Sequence, residues 1–511
     1  MPEYLAPGVY VEETSFRARS IEGVSTSTTA FVGPARKGPV GGIPELITSF
    51  GDFERIYGGL SDLQFDGQTA TTNYLAHSVQ AYFNNGGGRL YVSRVFLAVA
   101  EDNDGRAVSS NVVDGADAAS RARFVARFPG RAGGGRIVLR QSAVEAAENT
   151  AAATPDGTLL RVVDAAATTF YVKRDGTWTA ADDSTLAAIP EAADTTAHYL
   201  SVNVLAEDGD GNQLSYEDLG FDSDHPRWLG HVLAAEPARR SEALENLYAA
   251  EIGASVSAFA LQNALFGAAE ERIVGFPTAS AGNDGLEPTD AAYRAALATL
   301  EQLEDISIVA APGSSAYTGE AAIRLSLISH AERRRAYRIA VLDTPPAQGL
   351  TEARGVRARI DSHYAALYYP WVVVANPLAR PGNERIPREI ALPPSGFVCG
   401  IYARNDVSRG VHKAPANEVV RGALRFESNV NFAQQEVLNP LGVNCLRYFP
   451  GRGNRVWGAR TASSDPEWKY VNVRRYFLYL EQSIDRSTQW AVFEPNGERL
   501  WANVREAVEG F

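Results

Sequence analysis

Three places in this 511-residue chain put side chains able to do chemistry at the ends of apolar runs that read as strands: Pro312-Gly313-Ser314-Ser315, Asp343-Thr344 and Asn376. Open α/β sheets bind ligands beyond the carboxyl ends of their strands, so a hydroxyl near a carboxylate there would suggest hydrolysis. A serine hydrolase also needs a histidine base oriented by a carboxylate. His330 and His363 read as lying within helical segments, and no G-x-S-x-G turn occurs. The same residue types at strand ends form turns and cap helices, and that structural reading is preferred.

Other candidates reduce in the same way. Asn283-Asp284-Gly285 lacks the further oxygen ligands of a cation loop and reads as a tight turn before Thr289. Gly86-Gly87-Gly88 leaves a helix rather than entering one, and no lysine-serine pair follows, so a helix C-cap is expected instead of a phosphate cradle. Cys399 and Cys445 lie in apolar contexts without metal-ligand spacing and read as buried thiols. No catalytic residue, cofactor or metal is therefore assigned.

The elements that would position such residues divide into blocks. After a polar start carrying the β-prone Val9-Tyr10-Val11, strands are expected over 26–32 and 89–96, and helices over 50–56 and 71–83. From about Leu97 the composition turns to Ala, Asp, Gly and Thr, with short strands at 136–140, 168–173 and 199–205. From 235 to 380, helices at 289–303, 319–330 and 351–362 alternate with strands at 306–311, 338–342 and 369–375. That alternation argues for a parallel sheet covered by helices.

The domain division that follows is an arm at 1–20, an α+β segment at 21–96, an inserted acidic mostly-β domain at 97–234, an α/β domain at 235–384 and a carboxyl-terminal domain at 385–511. Charge is unevenly shared among these parts. The formal total is −13. Residues 101–230 carry 11 Lys and Arg against 21 Asp and Glu, or −10, whereas 385–511 carry 17 against 13, or +4. The acidic total argues against general nucleic-acid binding, no apolar run approaches the roughly 20 residues of a membrane span, and no secretion signal opens the chain.

The carboxyl-terminal part contains one more helix signal. Asp465 reads as an N-cap with Pro466 at the first helical position. Val473, Tyr476, Phe477, Leu480 and Ile484 then form the expected inward face, and Lys469, Asn472, Arg475 and Gln482 a polar stripe.

Several short stretches in order carry a family resemblance: Pro7-Gly8-Val9-Tyr10-Val11-Glu12-Glu13, Asn84-Asn85-Gly86-Gly87-Gly88-Arg89-Leu90-Tyr91-Val92, Ala414-Pro415-Ala416-Asn417, Leu438-Asn439-Pro440-Leu441-Gly442-Val443-Asn444 and Trp457-Gly458-Ala459-Arg460-Thr461, followed by Arg474-Arg475. With an acidic insertion between them, they resemble the tail sheath proteins of contractile phage tails and related injection particles.

The resemblance implies a subtilisin-like α/β domain without proteolysis and a structural, non-enzymatic role. Copies would stack as hexameric rings around an inner tail tube protein, meet baseplate and tail terminator proteins, and contract to drive the tube through an envelope. Such a chain would be made and assembled in the bacterial cytoplasm and end in a virion tail or injection particle, without direct nucleic-acid contact or membrane insertion. It also implies an outward-facing insertion, strand addition to a neighbour by an arm containing Pro7, Gly8, Val9, Tyr10 and Val11, and tube contact through Lys469, Arg474 and Arg475. Sheath proteins continue beyond a segment like 490–511, so a further strand-bearing portion is expected to be missing here. Two alternatives remain at this point: an α/β hydrolase or nucleotide-binding enzyme, and a non-contractile surface or capsid-like assembly protein.

Overall fold

The computed structural model describes residues 20–165, 167–190 and 194–511. At its centre is a nine-stranded sheet in the spatial order Glu418–Val419, Gly453–Val456, Val443–Phe449, Ala365–Tyr369, Ile339–Asp343, Ile308–Ala310, Thr29–Gly33, Leu90–Arg94, Leu46–Ile47. Pairing is parallel from Val443–Phe449 across to Leu90–Arg94 and antiparallel at both ends. The four inner strands, Ala365–Tyr369, Ile339–Asp343, Ile308–Ala310 and Thr29–Gly33, are short, mostly apolar runs buried on both faces, as a parallel sheet between helical layers requires.

Alternate side chains enter different cores. Phe31, Ile308, Ala310, Val341 and Tyr368 pack beneath the helices Tyr74–Asn84 and Pro394–Arg409. Ala30, Val309, Ala340, Leu342 and Leu367 pack beneath Asp290–Thr299, Glu320–Glu332 and Leu350–Arg357. The Tyr74–Asn84 helix follows its local signals: the Asn73 side chain accepts from the Ala76 N–H, and Gly86 closes the end at φ +102°.

The sheet crosses the expected boundaries at 96 and 384. The segments 21–96, 235–384 and 385–511 supply three strands each, so they fold as one interleaved body rather than side by side. The boundary expected at 234 also moves. An eight-stranded antiparallel sheet forms the insertion, and its edge strand Glu271–Gly275 pairs with Arg136–Glu145, carrying the β unit some forty residues further.

Three local expectations change. The run at 369–375 is not one strand: Ala365–Tyr369 belongs to the parallel sheet, while Val372–Ala375 joins a separate three-stranded antiparallel sheet. Pro370 lies between them and has no N–H to continue a ladder. His363 sits in a turn, because the preceding helix stops at Arg357. The last long helix starts at Val471, not beside Asp465. Thr461 N–H donates to the Lys469 carbonyl and Val471 N–H to that of Ala459, which hold 469–471 extended, while Asp465 closes only a turn on the Glu467 N–H.

The insertion follows Arg94 and rests on the carboxyl end of the sheet. Arg36 binds Asp210 and lies 3.7 Å from Asp284, Lys37 binds Asp208 at 2.8 Å, and all five side chains are nearly buried. Asp284 also accepts from the backbone N–H groups of Gln64 and Arg131, so the turn read at Asn283-Asp284-Gly285 is a polar rivet between the sheet and the insertion. The signal for it was the spacing Asp208-Gly209-Asp210-Gly211-Asn212, whose carboxylates receive side-chain cations.

Candidate contact surface

The residues weighed for hydrolysis do not converge. Asp343 accepts from the Ser395 N–H at 2.7 Å and its hydroxyl at 2.6 Å, and burial pushes its carboxyl up to about 7. It thus tethers the first turn of the Pro394–Arg409 helix to the central strand. His330 is engaged with Arg338 at 2.6 Å, and burial, with that guanidinium, lowers it to about 4. His363 stacks on Trp468 and meets the Tyr364 ring at a tilt. Asn376 binds Leu378 N–H and the Pro387 carbonyl beyond the separate antiparallel sheet, away from any parallel strand end. Ser314 opens a single 3-10 turn. Cys399 and Cys445 are buried free thiols.

The basic residues divide sharply by exposure. Arg474 and Arg475 are each only 3% exposed. Arg474 binds Glu481 and lies over the Trp468 and Tyr364 rings. Arg475 forms two bonds to Asp406, donates to the Thr26 carbonyl and lies over Tyr402. Burial opposes its charge, but Asp406 outweighs burial and its pKa rises. The inward face of this helix is therefore rotated from the expected one: Val471, Arg474, Arg475, Leu478 and Gln482 point inward, while Tyr476 and Phe477 are 39% and 43% exposed. An arginine with a fixed carboxylate partner and aromatic planes against it packs as core, and periodicity alone cannot supply that partner. Two of the three residues assigned to a partner contact are thus withdrawn from the surface.

Lys469 remains exposed. It lines a cleft of about 680 Å³ with Arg354, Arg357 and Arg460, opposed by Asp465. The cleft lies at the amino ends of the parallel strands, since Arg357 precedes Ala365–Tyr369 and Gly442 precedes Val443–Phe449.

The two carboxyl-terminal stretches build this wall. The Asn444 side chain donates to the Leu367 and Arg460 carbonyls and accepts from the Arg460 N–H at 2.7 Å. Gly442 has φ +85°, and a Cβ there would stand 2.6 Å from the Thr461 carbonyl oxygen. At Gly458 a Cβ would stand 2.9 Å from the Asn444 Cα. Their glycines and asparagine hold two chain segments in register and aim Arg460 across the Tyr470 ring. The arm residues Pro7, Gly8, Val9, Tyr10 and Val11 lie outside the described residues.

Interleaved strands, a rivetted acidic insertion and an open basic cleft define a multidomain α/β protein. Comparison gives the particular family: residues 287–462 match the phage tail sheath protein central domain, and 463–511 match the phage tail sheath C-terminal domain. Residues 287–511 thus carry both of these tail sheath family domains in order.

It is 26% identical over 211 residues to a prophage major tail sheath protein of Pseudomonas aeruginosa strain UCBPP-PA14, covering 40% of this chain and 50% of that one. It is 31% identical over 117 residues to the tail sheath protein of Escherichia phage P2, covering 22% of this chain and 28% of that protein. The chain thus spans half or less of the length of these relatives. A solved sheath complex of an extracellular contractile injection system in the contracted state aligns with a TM-score of 0.49 and 19% identity, over 100% of this chain and 81% of that one.

Proposed function

We propose that this chain is a structural, non-catalytic subunit of a contractile tail sheath. Copies stack as hexameric rings around an inner tube and shorten to drive that tube through a target envelope. The observation that carries the reading is the match of both sheath domains, end to end over residues 287–511.

The distribution of charge supports an orientation for the subunit. The acidic insertion rests on the carboxyl ends of the parallel strands and the Lys469 cleft lies at their amino ends. Facing the insertion outward and the cleft inward would present Lys469, Arg460, Arg354 and Arg357 to an acidic tube. The edge strands Leu46–Ile47 and Glu418–Val419 offer unpaired backbone to an arm from a neighbour, the role proposed for residues 7–11. In this reading the helix-covered parallel sheet corresponds to the subtilisin-like part of a sheath, and baseplate and terminator proteins cap the two ends of the stack. Particles of this kind are assembled in the bacterial cytoplasm and act as part of a virion tail or injection particle. Among the described residues no helix is long and apolar enough to cross a membrane.

The experiment is electron microscopy of the chain co-expressed with its tube protein. Helical tubes of two lengths and diameters are expected. Monomers that persist beside well-formed tubes would refute the assignment.

A further inference from the structure

The stretch Ala414–Asn417 takes no part in the Lys469 cleft yet lines another, of about 510 Å³, which Asn84–Gly88 supports from behind through Arg404 and Arg421. Arg404, Arg409, Lys413, Arg421 and Arg455 line it around one carboxylate, Glu418. Both stretches hold the cations in place. The Asn85 carbonyl accepts from Arg404 at 2.9 Å and its side chain from the Arg421 N–H at 2.9 Å. The Ala416 carbonyl accepts from Lys413 at 3.1 Å, and the Asn417 carbonyl from Arg455 at 2.8 Å.

Two other groups of cations are neutralised by carboxylates. Arg36 and Lys37 face Asp208, Asp210 and Asp284, and Arg475 faces Asp406. In this cleft Glu418 is shared by Lys413 at 2.6 Å and Arg404 at 3.6 Å. Among the described residues Arg409, Arg421 and Arg455 form no ion pair with a carboxylate. Burial lowers the Arg404 pKa, and repulsion from Arg421 lowers it further. Five cations around one carboxylate in a concave wall leave a strong positive potential that an anion would relieve.

We propose that this cleft binds a multivalent oxyanion of the oligophosphate or polycarboxylate class, gripped by Arg409, Arg421 and Arg455 with Arg404 and Lys413 behind them. Planar guanidinium forks match the paired oxygens of such groups, and the volume falls within the range of small-molecule sites, about 300–1,000 Å³. The bound anion would clasp the Asn84–Gly88 loop to the Ala414–Asn417 loop, two parts of the chain more than three hundred residues apart. All five cations come from one chain.

The test is calorimetric titration of the purified chain with sodium tripolyphosphate and, separately, with citrate, at ionic strength held constant with sodium chloride, alongside thermal unfolding. Saturable one-to-one binding is expected, with a melting temperature that climbs with the logarithm of ligand concentration. Arg409→Ala/Arg421→Ala should weaken binding at least tenfold, whereas Arg505→Ala on the last helix should leave it unchanged. Tripolyphosphate binding alone assigns the phosphate class, and equal citrate binding assigns polycarboxylates. If the double variant unfolds, Arg455→Lys, which keeps the charge and removes the fork, should show the weakening. Absence of saturable binding by both anions, or unchanged binding in the cleft variants, overturns the site.

Discussion

Arg475 and Asp406 meet inside the chain as a bidentate ion pair, with Nη2 and Nη1 at 2.6 and 2.9 Å from the two carboxylate oxygens. Their side chains are 3% and 2% exposed. The pair joins the Val471–Ser487 helix to the Pro394–Arg409 helix, while the second bond of Arg475 Nη2 reaches Thr26 ahead of the first strand. Breaking one side of such a pair leaves an uncompensated buried charge. Arg475→Met should lower stability by about 3–5 kcal/mol, and Arg475→Met/Asp406→Leu should recover most of the loss. Denaturant unfolding of the single and double variants measures both.

Lys469 is the exposed member of the basic set, so its charge can be reversed without disturbing a core. Lys469→Glu should weaken association with the tube protein roughly tenfold, mainly through a slower and less salt-sensitive on-rate, at an unchanged melting temperature. Arg474→Glu should instead destabilise the fold, because it faces Glu481 and two aromatic rings from a buried position. Surface-immobilised tube protein distinguishes the two effects, and equal tube binding by the Lys469 variant would remove that residue from the contact.

Gly442 combines φ +85° with a carbonyl oxygen 2.6 Å from where a Cβ would sit. Gly442→Ala should therefore cost about 1–3 kcal/mol from strain and local displacement. It should also loosen the Arg460 backbone, which hydrogen exchange at the Arg460 N–H can follow. Gly451, with φ +74° and open space around it, provides a comparison in which only the backbone conformation is penalised.

Asp343 should make stability depend on pH in a defined direction. Its ordinary value is 3.8 and its folded value about 7, so between these the unfolded chain has released a proton that the folded chain still holds. Its contribution is complete below about pH 4, falls as pH rises towards 7, and is flat above that. Subtracting the Asp343→Asn unfolding profile from that of the parent should isolate this downward slope, worth up to about 4 kcal/mol. A difference profile flat across this window would mean the carboxyl titrates as an exposed acid.

Local signals were legible where local physics decides. Ser49 and Gly58 bound the helix Phe50–Tyr57, Asn73 and Gly86 bound Tyr74–Asn84, and the apolar run after Arg89 became Leu90–Arg94. The same logic failed at Asp465-Pro466, where a sound N-cap signal was overridden because 469–471 were already paired with 459–461. It failed again further along the same helix, where apolar periodicity put Tyr476 and Phe477 inside.

By itself the sequence determined the alternation that makes a parallel sheet, the acidic insertion set against a basic carboxyl-terminal part, and the ordered stretches by which the family is recognised. These depend on composition and on neighbours a few residues apart. Only the tertiary structure decided that three distant segments share one sheet, that Arg474 and Arg475 face inward, and that Lys469 stays outside. Whether a cation is core or surface depends on where its counter-charge lies, and Asp406 is 69 residues from Arg475 along the chain. Separation along the chain carries no information about such a pairing until the backbone has closed the distance.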